Sequence, residues 1–328
     1  MKYKKLPRHP LGFFPTPIVE AKRLSAHLNG PRIFIKRDDH TGLAFGGNKT
    51  RKLEYLIGDA LLHGCDTVIT GGAAQSNHCR QTAAAAVASG LKCHLVLGGK
   101  APKTPSGNLL LDYLFGAEIH WTGILRKGEK IPEISQDLMT QGKKPYIVPY
   151  GGSNIIGAAA FVEATREVCI QLENLEESVS HIVFPSSSGG TQAGLIVGKR
   201  ICDQDFNLIG IDIDKDHSGD SSYQEHIFKL AKATAEALEV EIDIQLSDIN
   251  IRSEYVGGGY GVVGEAERYA IKIVAETEGI LLDPVYTGRA MAGLIDIIKS
   301  GEVSRNDTVL FWHTGGTPAL FAYAQDLI

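Results

Sequence analysis

The chain is short of several things, and each shortage removes a class of function. Cysteine is sparse: Cys65, Cys79, Cys93, Cys169 and Cys202 are the only five in 328 residues. None stands in a Cys-x-x-Cys pair, so neither a cysteine-built zinc site nor a disulfide framework is expected. Such usage fits a reducing cytoplasm. Basic charge is not in excess: 33 Lys and Arg against 38 Asp and Glu leave a net charge of −5. A nucleic-acid partner, which needs a basic face, is therefore not expected. No apolar run reaches the roughly 20 residues of a membrane span. The basic start is followed by Pro7, Arg8, His9 and Pro10 rather than an apolar core, so no signal peptide is read there. There is no repeat of fixed period.

What remains is an ordinary globular mix, 43% hydrophobic and 22% charged. That length and composition suit two domains or one large α/β unit. Short apolar strands are read at 33–35, 67–70, 94–97, 118–121, 146–149, 181–184, 208–212 and 308–312. Helical spacing falls between them, at 52–62, 80–89, 109–115, 131–141, 157–171, about 190–200, 224–238 and 265–277. The β-α-β rhythm predicts parallel sheets with helices on both faces. The stretches 98–107 and 215–222 read as surface connections.

Four segments carry chemistry. Lys49 follows Gly46-Gly47-Asn48 at a strand-to-helix turn, where an amine is placed to form a Schiff base with a carbonyl cofactor. Taken alone it is more simply a solvated lysine. Gly71-Gly72-Ala73-Ala74-Gln75-Ser76-Asn77-His78 joins a strand to an alanine-rich helix. Ser76 or Asn77 suits the helix cap, and the same end suits a carboxylate. Ser186-Ser187-Ser188-Gly189-Gly190-Thr191 reads as a phosphate cradle at a helix start. It lacks the lysine of an ATP-binding P-loop and does not match Gly-x-Gly-x-x-Gly. His313-Thr314-Gly315-Gly316 follows the last strand. An amine, a phosphate cradle and strand-end hydroxyls together point to pyridoxal 5′-phosphate. No metal-ligating set is read among the site residues.

The motifs at 46–54, 75–78, 281–294 and 313–321 resemble the D-cysteine desulfhydrase and 1-aminocyclopropane-1-carboxylate deaminase family, nearly end to end and in the same order. The resemblance implies the tryptophan-synthase-β-like fold type II: two three-layer α/β domains with parallel sheets and a cofactor cleft between them. It assigns 1–48 and 158–328 to a large cofactor-binding domain and 52–154 to a small inserted one. It implies that Lys49 anchors the cofactor and takes the substrate's α-proton. Asn77 faces the cofactor's phenolic oxygen. Lys52 and the Ser188, Gly189, Gly190 and Thr191 backbone hold its phosphate, and Thr314 bonds its ring nitrogen. Gln75, Ser76 and Asn77 receive the substrate carboxylate. Tyr260, Tyr286 and Thr287 line the substrate side, with Ser76, Tyr260 and Tyr286 among the catalytic set.

Relatives that open a cyclopropane ring are similar but carry Glu and Leu where this chain has Thr287 and Thr314. This pair therefore resembles the desulfhydrase branch. It implies α,β-elimination on a β-substituted amino acid, D-cysteine giving pyruvate, hydrogen sulfide and ammonia, by a cytoplasmic homodimer. L-cysteate sulfo-lyase and ring-opening deaminase are the alternatives. A pyridoxal phosphate carrier without turnover and a nucleotide-dependent dehydrogenase are weaker ones. Three departures from the family pattern stand out: Ser187 where a glycine is usual, Pro185 just before it, and Gly261-Val262-Val263 after Tyr260. A need for left-handed backbone at Ser187 costs on the order of 1 kcal/mol.

Overall fold

The computed structural model describes residues 2–215 and 222–328. The polar connection expected at 215–222 falls largely outside the described residues. Ten strands are present among those described: β1 Ile18–Glu20, β2 Arg32–Arg37, β3 Thr67–Ala73, β4 Lys92–Gly98, β5 Glu118–Trp121, β6 Pro145–Ile147, β7 His181–Ser186, β8 Asn207–Asp212, β9 Ile251–Arg252 and β10 Thr308–His313. The longer helices are α1 Lys22–Leu28, α2 Lys49–Leu62, α3 Asn77–Ala88, α4 Gly107–Leu114, α5 Ile131–Thr140, α6 Ile155–Asn174, α7 Gly190–Ile201, α8 Tyr223–Ala237, α9 Glu265–Glu278 and α10 Thr287–Lys299.

The strands form two sheets. One has six strands in the order β1-β2-β10-β7-β8-β9, the other four in the order β5-β4-β3-β6. The pairings are parallel except β1 with β2, where Ile18 faces Lys36 in antiparallel register. Central strands are apolar on both faces, as buried parallel strands must be. In β2, Ile33 and Ile35 pack toward α1, α9 and α10, whereas Phe34 packs toward α6, α7 and α8. That is the period-two alternation of a pleated strand. The smaller sheet packs on α2, α3 and α4 through Val68, Cys93, Leu95 and Leu97, and on α5 through Ile69 and Val96.

Among the elements named above, the structure adds four to the sequence reading: β1, β9, α1 and α10. Helix α10 opens Thr-Gly-Arg-Ala-Met-Ala-Gly, and its glycines weaken the helical signal. Its start is fixed instead by Asp283, whose carboxylate accepts from the backbone N–H groups of Val285, Tyr286 and Thr287. Pro185 is tolerated because β7 pairs with β10 only over His181 to Val183. Beyond that point no ladder bond to β10 is lost to the missing N–H.

Candidate active site

The chemistry-bearing loops all leave the C-terminal ends of parallel strands, where open α/β sheets place their ligand sites. They enclose a cleft with about 420 Å³ of atom-free space, part of it open to solvent. Its walls include Asn48, Lys49, Asn77, Ser186 to Gly189, Thr191, Tyr286 and Thr314. A larger cavity, about 1020 Å³, lies among Arg8, Arg51, Glu54, Glu163 and Glu167. Its charges are already paired with one another, as in the bonds from Arg51 to Glu167 and from Arg8 to Glu54. Size therefore does not decide the site; unspent chemistry does.

Lys49 is aimed by a strained turn. Ala44, Phe45, Gly46 and Gly47 all have positive φ, at 47°, 68°, 67° and 133°. For the two non-glycine residues this costs roughly 1–3 kcal/mol each. The turn is held by the Asn48 N–H donating to the Thr314 carbonyl at 2.9 Å and by Thr41 Oγ1 bridging to Gly47. Helix α2 begins at Lys49 itself, three residues before the apolar spacing becomes readable.

The Lys49 amine donates to the Gly151 carbonyl at 3.0 Å, and the Lys52 amine donates to the same oxygen at 3.2 Å. Burial pushes the Lys49 amine down to about 8. Burial, with the neighbouring Lys49 charge, holds Lys52 well below its ordinary range. The His78 imidazole is lowered too, by burial first and then by both lysines. No carboxylate is among the charges that act on the two lysines. The cleft thus gathers cationic groups without a counter-anion, an arrangement that an anionic ligand relieves.

The start of α7 offers chemistry that suits such an anion. Gly189, at φ 83°, is its N-cap and supplies no side-chain cap. The backbone N–H groups of a helix start and its positive end suit a phosphate. Ser153 Oγ completes the cradle: it accepts from the Gly190 N–H at 3.1 Å and from Lys52 at 3.0 Å, and lies 2.7 Å from Ser188 Oγ. A side chain at Gly151 fills this space, since its Cβ falls 2.2 Å from Ser188 Oγ and 3.4 Å from the Lys49 amine. A phosphate-bearing aldehyde fits the residues present: an amine of lowered proton affinity beside an uncapped, hydroxyl-lined helix start. Ser187 is not among the residues with positive φ, so its replacement of glycine carries no left-handed strain.

The opposite wall differs. Asn77 Oδ1 accepts from Asn108 at 2.8 Å and from Arg80 at 3.3 Å, which leaves its NH₂ as the group to donate. Tyr260 and Tyr286 share a hydrogen bond between their hydroxyls at 2.7 Å, with rings edge to face. Burial pushes both phenols well above their ordinary range, so both are protonated at neutral pH. Arg126 lies 4.8 Å over the Tyr260 ring, and its Nη2 donates to both carboxylate oxygens of Asp214 at 2.9 and 2.8 Å. No Asp or Glu stands among the described residues that line the cleft.

Two expected site residues are committed elsewhere. Gln75 donates to the Ser106 carbonyl and accepts from the Asn108 N–H. Thr287 is fully buried and bonded to Asp283 on both sides of its hydroxyl. Ser76 caps α3 by accepting from the Cys79 N–H at 3.2 Å. Sequence reasoning missed Gly151 and Ser153, although Gly151-Gly152-Ser153-Asn154 after a strand is the same kind of loop as the other three. It also missed Arg80 and Asn108, which no local pattern signals.

The profile of the family described as pyridoxal-phosphate dependent enzyme matches residues 10–315. The chain belongs to that family. The cofactor of that family, pyridoxal phosphate, carries both an aldehyde and a phosphate. A protein named D-cysteine desulfhydrase in Klebsiella pneumoniae (strain 342) is 44% identical over 329 residues, covering 98% of each chain. One of the same name in Salmonella newport (strain SL254) is 42% identical over 325 residues, covering 97% of each. A solved structure described as an ACC deaminase homologue is 39% identical with a TM-score of 0.90, covering 98% of this chain and 96% of that one. O-ureido-L-serine synthase superposes with a TM-score of 0.67 at 16% identity, over 96% of this chain and 92% of that one, and shares the fold.

Proposed function

We propose that this pyridoxal phosphate enzyme carries out α,β-elimination on a β-substituted amino acid, with D-cysteine giving pyruvate, hydrogen sulfide and ammonia. The relatives named D-cysteine desulfhydrase, aligned over nearly the whole chain, support the substrate. The observation that carries the reaction class is the composition of the cleft: a lysine of lowered proton affinity on one wall, a pair of protonated phenols on the other, and no carboxylate between.

When bound, the cofactor supplies an electron sink for the charge left by proton removal. Lys49 holds the cofactor and, once released, takes the α-proton on its Nζ; the value near 8 suits a base working at neutral pH. Asn77 would hold the cofactor through its phenolic oxygen. Lys52, Ser188, Thr191 and the Gly189 and Gly190 backbone would hold its phosphate. Thr314 would offer a neutral hydroxyl to its ring nitrogen. That suits loss of a good leaving group better than ring opening. One phenol of the Tyr260–Tyr286 pair donates to the other, which leaves a hydroxyl to protonate departing sulfur. Ser76 and the Asn77 N–H, at the positive end of α3, receive the substrate carboxylate. Gln75 supports them by fixing the 106–108 turn, and Thr287 acts by fixing Tyr286 through Asp283.

The reading extends to a large domain of 1–48 and 158–328 with a small one of 52–154, each with its own sheet. It extends also to a homodimer in a reducing cytoplasm, in keeping with five free thiols; light scattering tests the dimer. Among the described residues no helix is long and apolar enough to cross a membrane.

The test is product release from purified enzyme given D-cysteine, L-cysteate and 1-aminocyclopropane-1-carboxylate. Sulfide and pyruvate in equal amounts from D-cysteine are expected. Sulfite from L-cysteate, or 2-oxobutanoate from the cyclopropane substrate, at a higher kcat/KM transfers the enzyme to another branch.

A further inference from the structure

The smaller sheet carries a second cluster that the proposed reaction does not use. His94 on β4 pairs directly with Glu118 on β5, and His120 stands two residues beyond Glu118 on the same face. Parallel strands lie about 4.8 Å apart, so side chains paired in this way converge. His94 Nδ1 and His120 Nε2 are 3.0 Å apart, and Glu118 Oε1 is 3.7 Å from each. The rings stack, with centroids 5.3 Å apart.

The geometry points to a site for one divalent transition-metal ion, of the zinc class, held by His94, Glu118 and His120. Bonds of about 2.0–2.1 Å to nitrogen and oxygen put the ligands of a tetrahedral ion roughly 3.4 Å apart. The three separations, 3.0, 3.7 and 3.7 Å, scatter around that edge. A point equidistant from the three atoms lies about 2.0 Å from each, which is a zinc bond length. The carboxylate oxygen is too far from either ring nitrogen for a hydrogen bond, yet it is spaced as a third ligand. Two imidazoles and a carboxylate select zinc and its neighbours over magnesium or calcium, which prefer all-oxygen shells.

Burial is graded across the cluster. The His94 side chain is 10% exposed, that of His120 28% and that of Glu118 66%. The ion is therefore seated from within and reached from solvent, with a fourth position for water. Its role is a clip: β5 is an edge strand of the four-stranded sheet, and the ion ties it to β4. The scarcity of paired cysteines gave no hint of this site, because its ligands meet only through strand pairing.

The experiment uses pyridoxal phosphate-loaded enzyme, dialysed against chelator and titrated with Zn²⁺ alone by calorimetry. One equivalent per chain is expected, with a rise in melting temperature. His120→Gln and Glu118→Gln each weaken binding tenfold or more, and His94→Gln does the same if it folds. Glu118 and His120 are exposed enough for their variants to fold, so the test stands without His94. His63→Gln, an exposed histidine outside the cluster, leaves binding unchanged. Turnover in the metal-free enzyme stays at its starting value. No saturable uptake, or uptake equal in wild type and His120→Gln, means an adventitious ion only and overturns the site.

Discussion

The two walls of the cleft are built on opposite electrostatic plans. The phosphate wall crowds two lysine amines onto one carbonyl beside an uncapped helix start, with no carboxylate acting on them. The tyrosine wall is neutral and internally satisfied: its hydroxyls bond each other, and Asp283 behind it accepts from three backbone N–H groups and Thr287. The first wall is unbalanced until an anion arrives; the second is complete beforehand. Binding and chemistry are thus separable by mutation.

Lys49→Ala breaks the comparison most severely, because Lys49 serves both walls. Turnover falls by roughly 10³ to 10⁴-fold, and the visible absorbance of the bound cofactor is lost. Tyr286→Phe sharpens it. The absorbance is retained while kcat falls by about 10²-fold or more; a variant with wild-type turnover removes Tyr286 from the chemistry. Lys52→Gln does the reverse. The loss of a charge-assisted bond of about 1.5–3 kcal/mol weakens cofactor affinity roughly 10- to 100-fold, with kcat of the loaded enzyme nearly intact. Equilibrium dialysis against the cofactor reads that change.

The smallest effect is one of pH. The Lys49 amine, lowered by burial to about 8, is protonated and unreactive below that value and nucleophilic above it. Cofactor capture by stripped enzyme therefore speeds up as pH rises through about 8 and then levels off. A midpoint near the ordinary lysine value of about 10.4 means that the amine is not buried as described.

The residues proposed for the phosphate wall stand out in the sequence, because they are local. Glycines beside Lys49 and in the 186–191 loop announce special backbone within a few residues of the chemistry. The tyrosine wall was legible through the family resemblance rather than through spacing. What stayed hidden depends on which strands become neighbours. Ser153 reaches Gly190 and Lys52 only because β6 and β7 end at the same cleft. Asn108 fixes the Asn77 amide across 31 residues of chain and is itself held by Arg80, 28 residues away. Gln75 and Thr287 sit in the right motifs, but Gln75 spends its side chain on the 106–108 backbone and Thr287 on the carboxylate and N–H of Asp283. Motif position placed them near the site; the hydrogen bonds decided their task.

The most direct test of the unbalanced wall is chemical. Cofactor-loaded enzyme is reduced with borohydride, digested and mapped by mass. A single stable adduct on Lys49, with Lys52 unmodified, is expected. An adduct on Lys52 or on any lysine outside the cleft contradicts the account.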